Sequence, residues 1–171
     1  TLDSTNFERY SHASPFIRAA EEGLIDPKRM LTLGIKGPLN SKEDFDYAKD
    51  HGVTVITCEQ WREGGAEKVR QFVRALGDAE TYITFDVDVV DPAFAPGTGT
   101  PSLGGMTSAE ALGILRSFAG VNVVGGDVVE VLPDRDVSGI TALLAAHVMF
   151  EIMSLDAVRR VRGLRGMPPG R

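Results

Sequence analysis

The sequence predicts an α/β protein, a three-layer α/β/α arrangement around a mainly parallel sheet. Three observations carry this. Short apolar runs alternate with amphipathic ones along the chain, the runs are apolar almost throughout instead of at every second position, and no repeat or low-complexity linker interrupts them. At 171 residues the chain suits one domain with a real core.

The elements follow in order. Ser14 and Pro15 offer an N-cap and a first-turn proline for the helix PFIRAAEEGL, which stops at a glycine-leucine pair. MLTLGIKG reads as a short buried strand. Ser41 opens the helix SKEDFDYAKDHG, and Gly52 closes it. VTVIT is the next strand, followed by the helix GAEKVRQFVRALG with Val69, Phe72, Val73 and Leu76 on one face. TYITFDV is a strand. Thr107 to Glu110 form a capping box for AEALGILRSF, VNVVGGDVVEV is the last strand, and GITALLAAHVMFEIMSL is a largely apolar helix. The final VRRVRGLRGMPPGR reads as a solvated or subunit-contacting tail.

Composition narrows the function classes. With 43% hydrophobic and 25% charged residues this is an ordinary globular composition. No apolar run approaches membrane-spanning length, and TLDSTNFERY lacks the blocks of a secretory signal, so the expected compartment is the cytoplasm, away from membranes. The net charge of −6 argues against a nucleic-acid surface and suits a cationic substrate. The single cysteine, Cys58, excludes an internal disulfide and reads as a buried inert thiol closing VTVIT.

Chemistry is expected at the carboxyl ends of the strands, where open α/β sheets bind ligands. TFDVDVVDPAFAPGTGTP places Asp86, Asp88 and Asp91 at such an end. On a continuing strand Asp86 and Asp88 would face one crevice, about 6.6 Å apart. Two carboxylates so placed repel, and a divalent cation between them removes the objection. The pattern lacks the glycine and distal glutamate of an EF-hand. It fits either a strand end whose aspartates bond the following loop or an oxygen-ligand site for magnesium, calcium or manganese, and spacing alone leaves both open. The loop PAFAPGTGTPSLGG, long and rich in proline and glycine, points toward a functional segment.

The stretch FDVDVVDPAFAPGTGTP resembles the signature of the ureohydrolases, the arginase and agmatinase family of manganese amidinohydrolases. SHASPFIRAAEEGL resembles the family's HGTPF segment and its helix, LGIKG and DYAKDHGVTVIT its central strands, and GGDVVEVLPDRDVSGITALLAA its late strand, glutamate and closing helix. The likeness covers essentially the whole chain and is greater to agmatinase-like and guanidino-acid members than to arginase proper. It implies the C-terminal portion of an arginase-like fold, and a homo-oligomer. It implies Asp86 and Asp88 as ligands of a binuclear Mn2+ site. It also implies Glu130 as the holder of the substrate guanidinium and His12 as a proton carrier near the leaving amine. The implied reaction hydrolyses a guanidino group to urea and an amine through a metal-bridging hydroxide.

Type and position add their own arguments. A planar guanidinium suits a bidentate carboxylate such as Glu130, whose alternative is an ion pair with Arg135. Asp127 and Glu130 fall on opposite faces of a regular strand, so only one should face the crevice, and Asp127 is expected to play a structural part by orienting a loop or a ligand. An imidazole titrates near neutrality, which suits His12 to proton transfer, while His51 at a helix end and His147 in an apolar helix read as structural. The substrate's tail would be read by loops, Asp3 to Arg9 and Trp61 among them.

The departures are also specific. The family's GGDH and DAHxD motifs, which carry the other metal ligands, are absent; Thr1 falls where the family has the threonine after DAHxD. Residues 1–171 are therefore expected to be the C-terminal portion of a single ureohydrolase domain. The rest would be supplied by a missing N-terminal segment or a companion chain; the alternative is an inactive homologue with an assembly role. Ala13-Ser14 replaces the family's Gly-Thr, which bears on the placement of His12. A magnesium phosphohydrolase is disfavoured, since no glycine-rich phosphate cradle opens a helix.

Overall fold

The four expected strands pair in parallel, two by two. The computed structural model describes residues 9–38 and 45–165, with side chains to residue 161 at the C-terminal end. It divides into two compact units, residues 1–66 and 67–171. The first eight residues, including most of the proposed substrate loop Asp3 to Arg9, and Ser41 with its capping role, lie outside the described residues.

In the first unit, helix α1 (Pro15–Glu21) starts at Pro15 as its sequence requires, but Ser14 makes no side-chain cap. Its hydroxyl donates instead to the Arg9 carbonyl at 3.0 Å and accepts from the Ser11 amide at 3.2 Å, so it is used to fold the turn before the helix. Strand β1 (Leu31–Ile35) pairs with β2 (Thr54–Thr57) through a crossover containing α2 (Asp46–His51). Gly52 ends α2 at φ 76°, the left-handed cap that its position predicts. The register shifts between Leu33 and Ile35, where Gly34 stands at φ 94°. Cys58 is buried, but it opens a short helix α3 (Cys58–Gln60) instead of closing the strand, and its thiol donates to the Gly34 carbonyl at 3.2 Å. A capping box of Thr57 and Gln60 starts that helix.

The second unit carries the larger core. Helix α4 (Ala66–Leu76) buries Val69 and turns Val73 and Leu76 against the core, as its period demands. Strand β3 (Thr81–Asp86) pairs with β4 (Val123–Val129) through a crossover containing α5 (Ser108–Ser117), which opens on the complete Thr107–Glu110 capping box. Helix α6 (Ile140–Arg165) packs Leu144, Val148, Ile152 and Leu155 into this core. It approaches β4 closely because Gly126 has no side chain: a Cβ there would stand 2.8 Å from Ile152 Cγ2.

Helix α6 runs beyond the expected boundary and corrects one expectation. The start of the arginine-rich tail is helical, up to Arg165, with an Arg160–Asp156 pair at 2.7 Å. Residues 137–161 are also long and apolar enough, by length and composition, to cross a membrane. The core helix of a soluble protein meets the same criteria, and the buried residues of α6 recur at helical spacing against β4 and α5. Its other side exposes Leu143, Phe150, Met153 and Val161.

The two faces should respond differently to truncation. Ile152→Ala, at 4% exposure, is expected to cost about 2–5 kcal/mol. Phe150→Ala, at 67% exposure, should stay within about 0.5 kcal/mol. Urea unfolding of both variants checks the assignment.

Candidate active site

The site is built where β3 ends. Asp86 is the last strand residue, and Val87–Val89 turn into a 3-10 helix that Asp86 caps, its carboxylate accepting the Asp88 amide at 2.9 Å. The expected 6.6 Å pleat spacing of Asp86 and Asp88 therefore does not apply. The turn intervenes because the Asp86 side chain satisfies an amide that would otherwise lack a partner. Val87 and Val90 are buried on either side, which fixes the turn against the core.

The loop after the turn closes on itself. The Asp91 carboxylate accepts amides from Ala93 at 3.0 Å, Gly104 at 2.9 Å and Gly105 at 3.1 Å, while its own amide donates to the Met106 carbonyl at 2.8 Å. Asp91 thus pins both ends of the loop. Further on, Leu132 donates to the Gly97 carbonyl at 2.8 Å, and Thr98 bridges Val131. Gly97 donates to the buried Thr141 hydroxyl at 2.8 Å, and Asp136 caps α6 through the Thr141 and Ala142 amides, both at 2.8 Å.

This folding delivers two threonine hydroxyls to Asp88. Thr98 Oγ1 donates to Asp88 Oδ1 and Thr100 Oγ1 to Asp88 Oδ2. Thr98 is 1% exposed, and its hydroxyl also lies 2.9 Å from the Glu130 carbonyl. Sequence reasoning missed both threonines. The signal was the T-G-T spacing in an extended loop, which can turn two hydroxyls to one side.

Glu130 lies just beyond β4 with φ 68°, left-handed and uncommon for a residue with a side chain. Strand parity therefore does not fix its direction, contrary to the expectation from a regular strand. Such a backbone costs on the order of 1–3 kcal/mol and persists where its surroundings determine it. The Glu130 side chain is exposed, and Arg135 reaches the Gly99 carbonyl at 3.5 Å. Asp127 bonds across to β3, where the sequence suggested a loop or a ligand: it accepts Thr84 Oγ1 at 2.6 Å and Tyr82 Oη at 2.9 Å. The Asp127 bond, then burial, hold the Tyr82 hydroxyl above its ordinary pKa.

The structure thus brings Asp86, Asp88 and Glu130 to adjacent strand ends of the second unit. His12 belongs to the first unit, exposed in the turn before α1. Trp61 also belongs there, half-buried in a kinked turn before α4. His51 stacks on Tyr47 at 4.0 Å and sits 2.9 Å from its carbonyl, a structural use; His147 is exposed on α6.

Asp86 and Asp88 offer the oxygen donors that hard divalent cations take, and a carboxylate holding one hydroxyl per oxygen keeps lone pairs for a cation. Among the described residues no three His, Cys, Asp or Glu side chains converge to hold a metal ion. By donor type the two carboxylates suit part of a coordination shell.

The model of the arginase family matches residues 1–154. This chain belongs to the arginase family. It is 49% identical over 154 residues to a guanidinopropionase of Pseudomonas aeruginosa, covering 90% of this chain and 48% of that protein. Among solved structures, the proclavaminate amidinohydrolase of Streptomyces clavuligerus superposes with a TM-score of 0.83 at 39% identity, over 93% of this chain and 53% of that one. A hypothetical agmatinase from Burkholderia thailandensis gives 0.77 at 42% identity, over 88% and 46%. The likeness establishes the α/β/α class expected from the sequence, and the agmatinase-like branch. The chain spans about half the length of the curated relatives it matches.

Two expectations test how the arginase-family loop is held. In Gly97→Ala the new Cβ would stand 2.6 Å from Asp136 Cβ, and overpacking of this kind costs about 1–3 kcal/mol, read as a lower Tm. Asp136 is the second test. Partial burial raises its carboxyl, but the Ala142 and Thr141 amides outweigh this and hold it below the ordinary value. A group lowered on folding contributes stability that is complete above about pH 4 and is lost as pH falls through the folded value. Asp136→Ala should remove that part of the acid dependence, measured by urea melts at about pH 6 and about pH 3.

Proposed function

We propose that this arginase-family chain takes part in manganese-dependent hydrolysis of a guanidino compound, agmatine or a guanidino acid, to urea and an amine. The observation that carries this is the placement of Asp86, Asp88 and Glu130 at the adjoining carboxyl ends of β3 and β4. The names of the relatives, guanidinopropionase and agmatinase among them, give the substrate class.

In this reading Asp86 and Asp88 would hold Mn2+, with the remaining ligands supplied from outside these residues. When bound, the metal supplies Lewis-acid activation of water and stabilisation of developing negative charge. The chain's own residues do the rest. Thr98 and Thr100 fix the Asp88 carboxylate, so that it meets a cation without reorganising. Glu130 would hold the guanidinium by a charge-assisted, bidentate bond and so orient its carbon, which is the proximity contribution. His12 is assigned the proton delivered to the departing amine on sequence grounds. A cytoplasmic homo-oligomer is part of the same proposal.

A second reading, an assembly subunit without catalysis, draws on the exposed apolar side of α6. Two substitutions separate the readings. Asp88→Ala should abolish Mn2+-dependent urea release while leaving the oligomer intact, and should weaken Mn2+ binding by more than the roughly 10–100-fold of an outer-shell change. Glu130→Gln should retain Mn2+ but lose about 10- to 100-fold in kcat/KM across a panel of guanidino compounds. Undiminished urea release by Asp88→Ala would sink the metal assignment; no urea release by the unsubstituted intact protein would favour assembly.

A further inference from the structure

Building on the proposed amidinohydrolase reading, we infer that Thr98 is a positioning residue that couples the Asp88 carboxylate to the Glu130 backbone through one buried hydroxyl. The hydroxyl is within bonding distance of Asp88 Oδ1 and, at 2.9 Å, of the Glu130 carbonyl. Its single proton is shared between an acceptor in the turn after β3 and one just past β4. The proposed metal side and the proposed guanidinium side of the site therefore lean on one atom.

The loop does not need this hydroxyl to keep its shape. Thr98 is held by its backbone, through the bridge to Val131 and its amide bond to the Pro96 carbonyl at 3.0 Å. The neighbouring Gly97 is anchored by Leu132 and by the Thr141 hydroxyl. Thr141 is the contrasting case, a fully buried hydroxyl used only to fasten the loop and the start of α6. Thr98 instead spends its hydroxyl on the two site residues. Threonine suits the task because branching at Cβ restricts χ1, so a fixed backbone fixes the hydroxyl. At 1% exposure water does not compete for it. The Glu130 carbonyl it holds belongs to a residue at φ 68°, a conformation that needs its surroundings to maintain it.

The test compares Thr98→Val, Thr98→Ser and Thr141→Val in the intact protein. Mn2+ affinity is read by titration calorimetry, KM and kcat for a guanidino substrate at saturating Mn2+, and Tm by calorimetry. Thr98→Val should weaken Mn2+ binding about 10- to 100-fold. It should also raise KM even when Mn2+ is saturating, because Glu130 shifts with the lost bond. Thr98→Ser, which keeps the hydroxyl, should restore both; Thr141→Val, which loosens the loop at Gly97 but leaves the Thr98 hydroxyl, should lower Tm with smaller changes in Mn2+ affinity and KM than Thr98→Val. If Thr98→Val does not fold, Thr98→Ala against Thr98→Ser makes the same comparison. Unchanged Mn2+ affinity and KM in the hydroxyl-free variant, or equal defects in Thr98→Ser, would overturn the coupling while the unsubstituted protein binds Mn2+ and releases urea. An unsubstituted protein that does neither overturns the amidinohydrolase reading and this inference with it.

Discussion

The parallel register of β3 and β4 is the constraint on which the rest depends. Asp86 lies abreast of Val129, so both strands finish at the same level and their next residues emerge side by side. Beyond that line neither chain can continue the ladder, and each turns in its own way. β3 enters a 3-10 turn capped by Asp86, and β4 enters the left-handed Glu130. The loop from Asp91 to Met106 fills the space beyond them and joins the two through Thr98.

So much negative charge at a strand end is tolerable because nearly every carboxylate has donors aimed at it. Asp91 receives three amides, Asp88 two hydroxyls, Asp127 a threonine and a tyrosine, and Asp136 the first amides of α6. Hydrogen bonds to the ionised form offset the cost of partial burial. The roles divide accordingly. Asp91 and Asp136 hold chain segments in place, whereas Asp88 is held by two hydroxyls, of which that of Thr98 comes from a backbone fixed by its own bridge and amide.

Helix α6 shows why an apolar sequence does not define a single face. Leu144, Val148, Ile152 and Leu155 follow one stripe into the core, while Leu143, Phe150 and Met153 follow another into solvent. The sequence reads as nearly uniform over this stretch, and only the position of β4 and α5 chooses which stripe is buried.

Much of this protein was legible in its residues. All four strands, the left-handed stop at Gly52, the Thr107–Glu110 capping box and the core face of α4 follow from local rules, since each depends on neighbours within a turn or two. The family was legible too, because FDVDVVDPAFAPGTGTP is too irregular for generic strand chemistry. Other features depended on partners remote in sequence. Ser14 gave up capping for the turn before it, Cys58 found the Gly34 carbonyl, and the pleat spacing of Asp86 and Asp88 yielded to a turn packed by Val87 and Val90. The Thr98 link belongs here as well, for it needs the loop folded back onto the end of β4. Local sequence thus determined which residue types and elements are present, by short-range sterics and hydrogen bonding. Tertiary packing alone decided which hydroxyl meets which carboxylate, because those bonds join segments that only the β3–β4 register brings together.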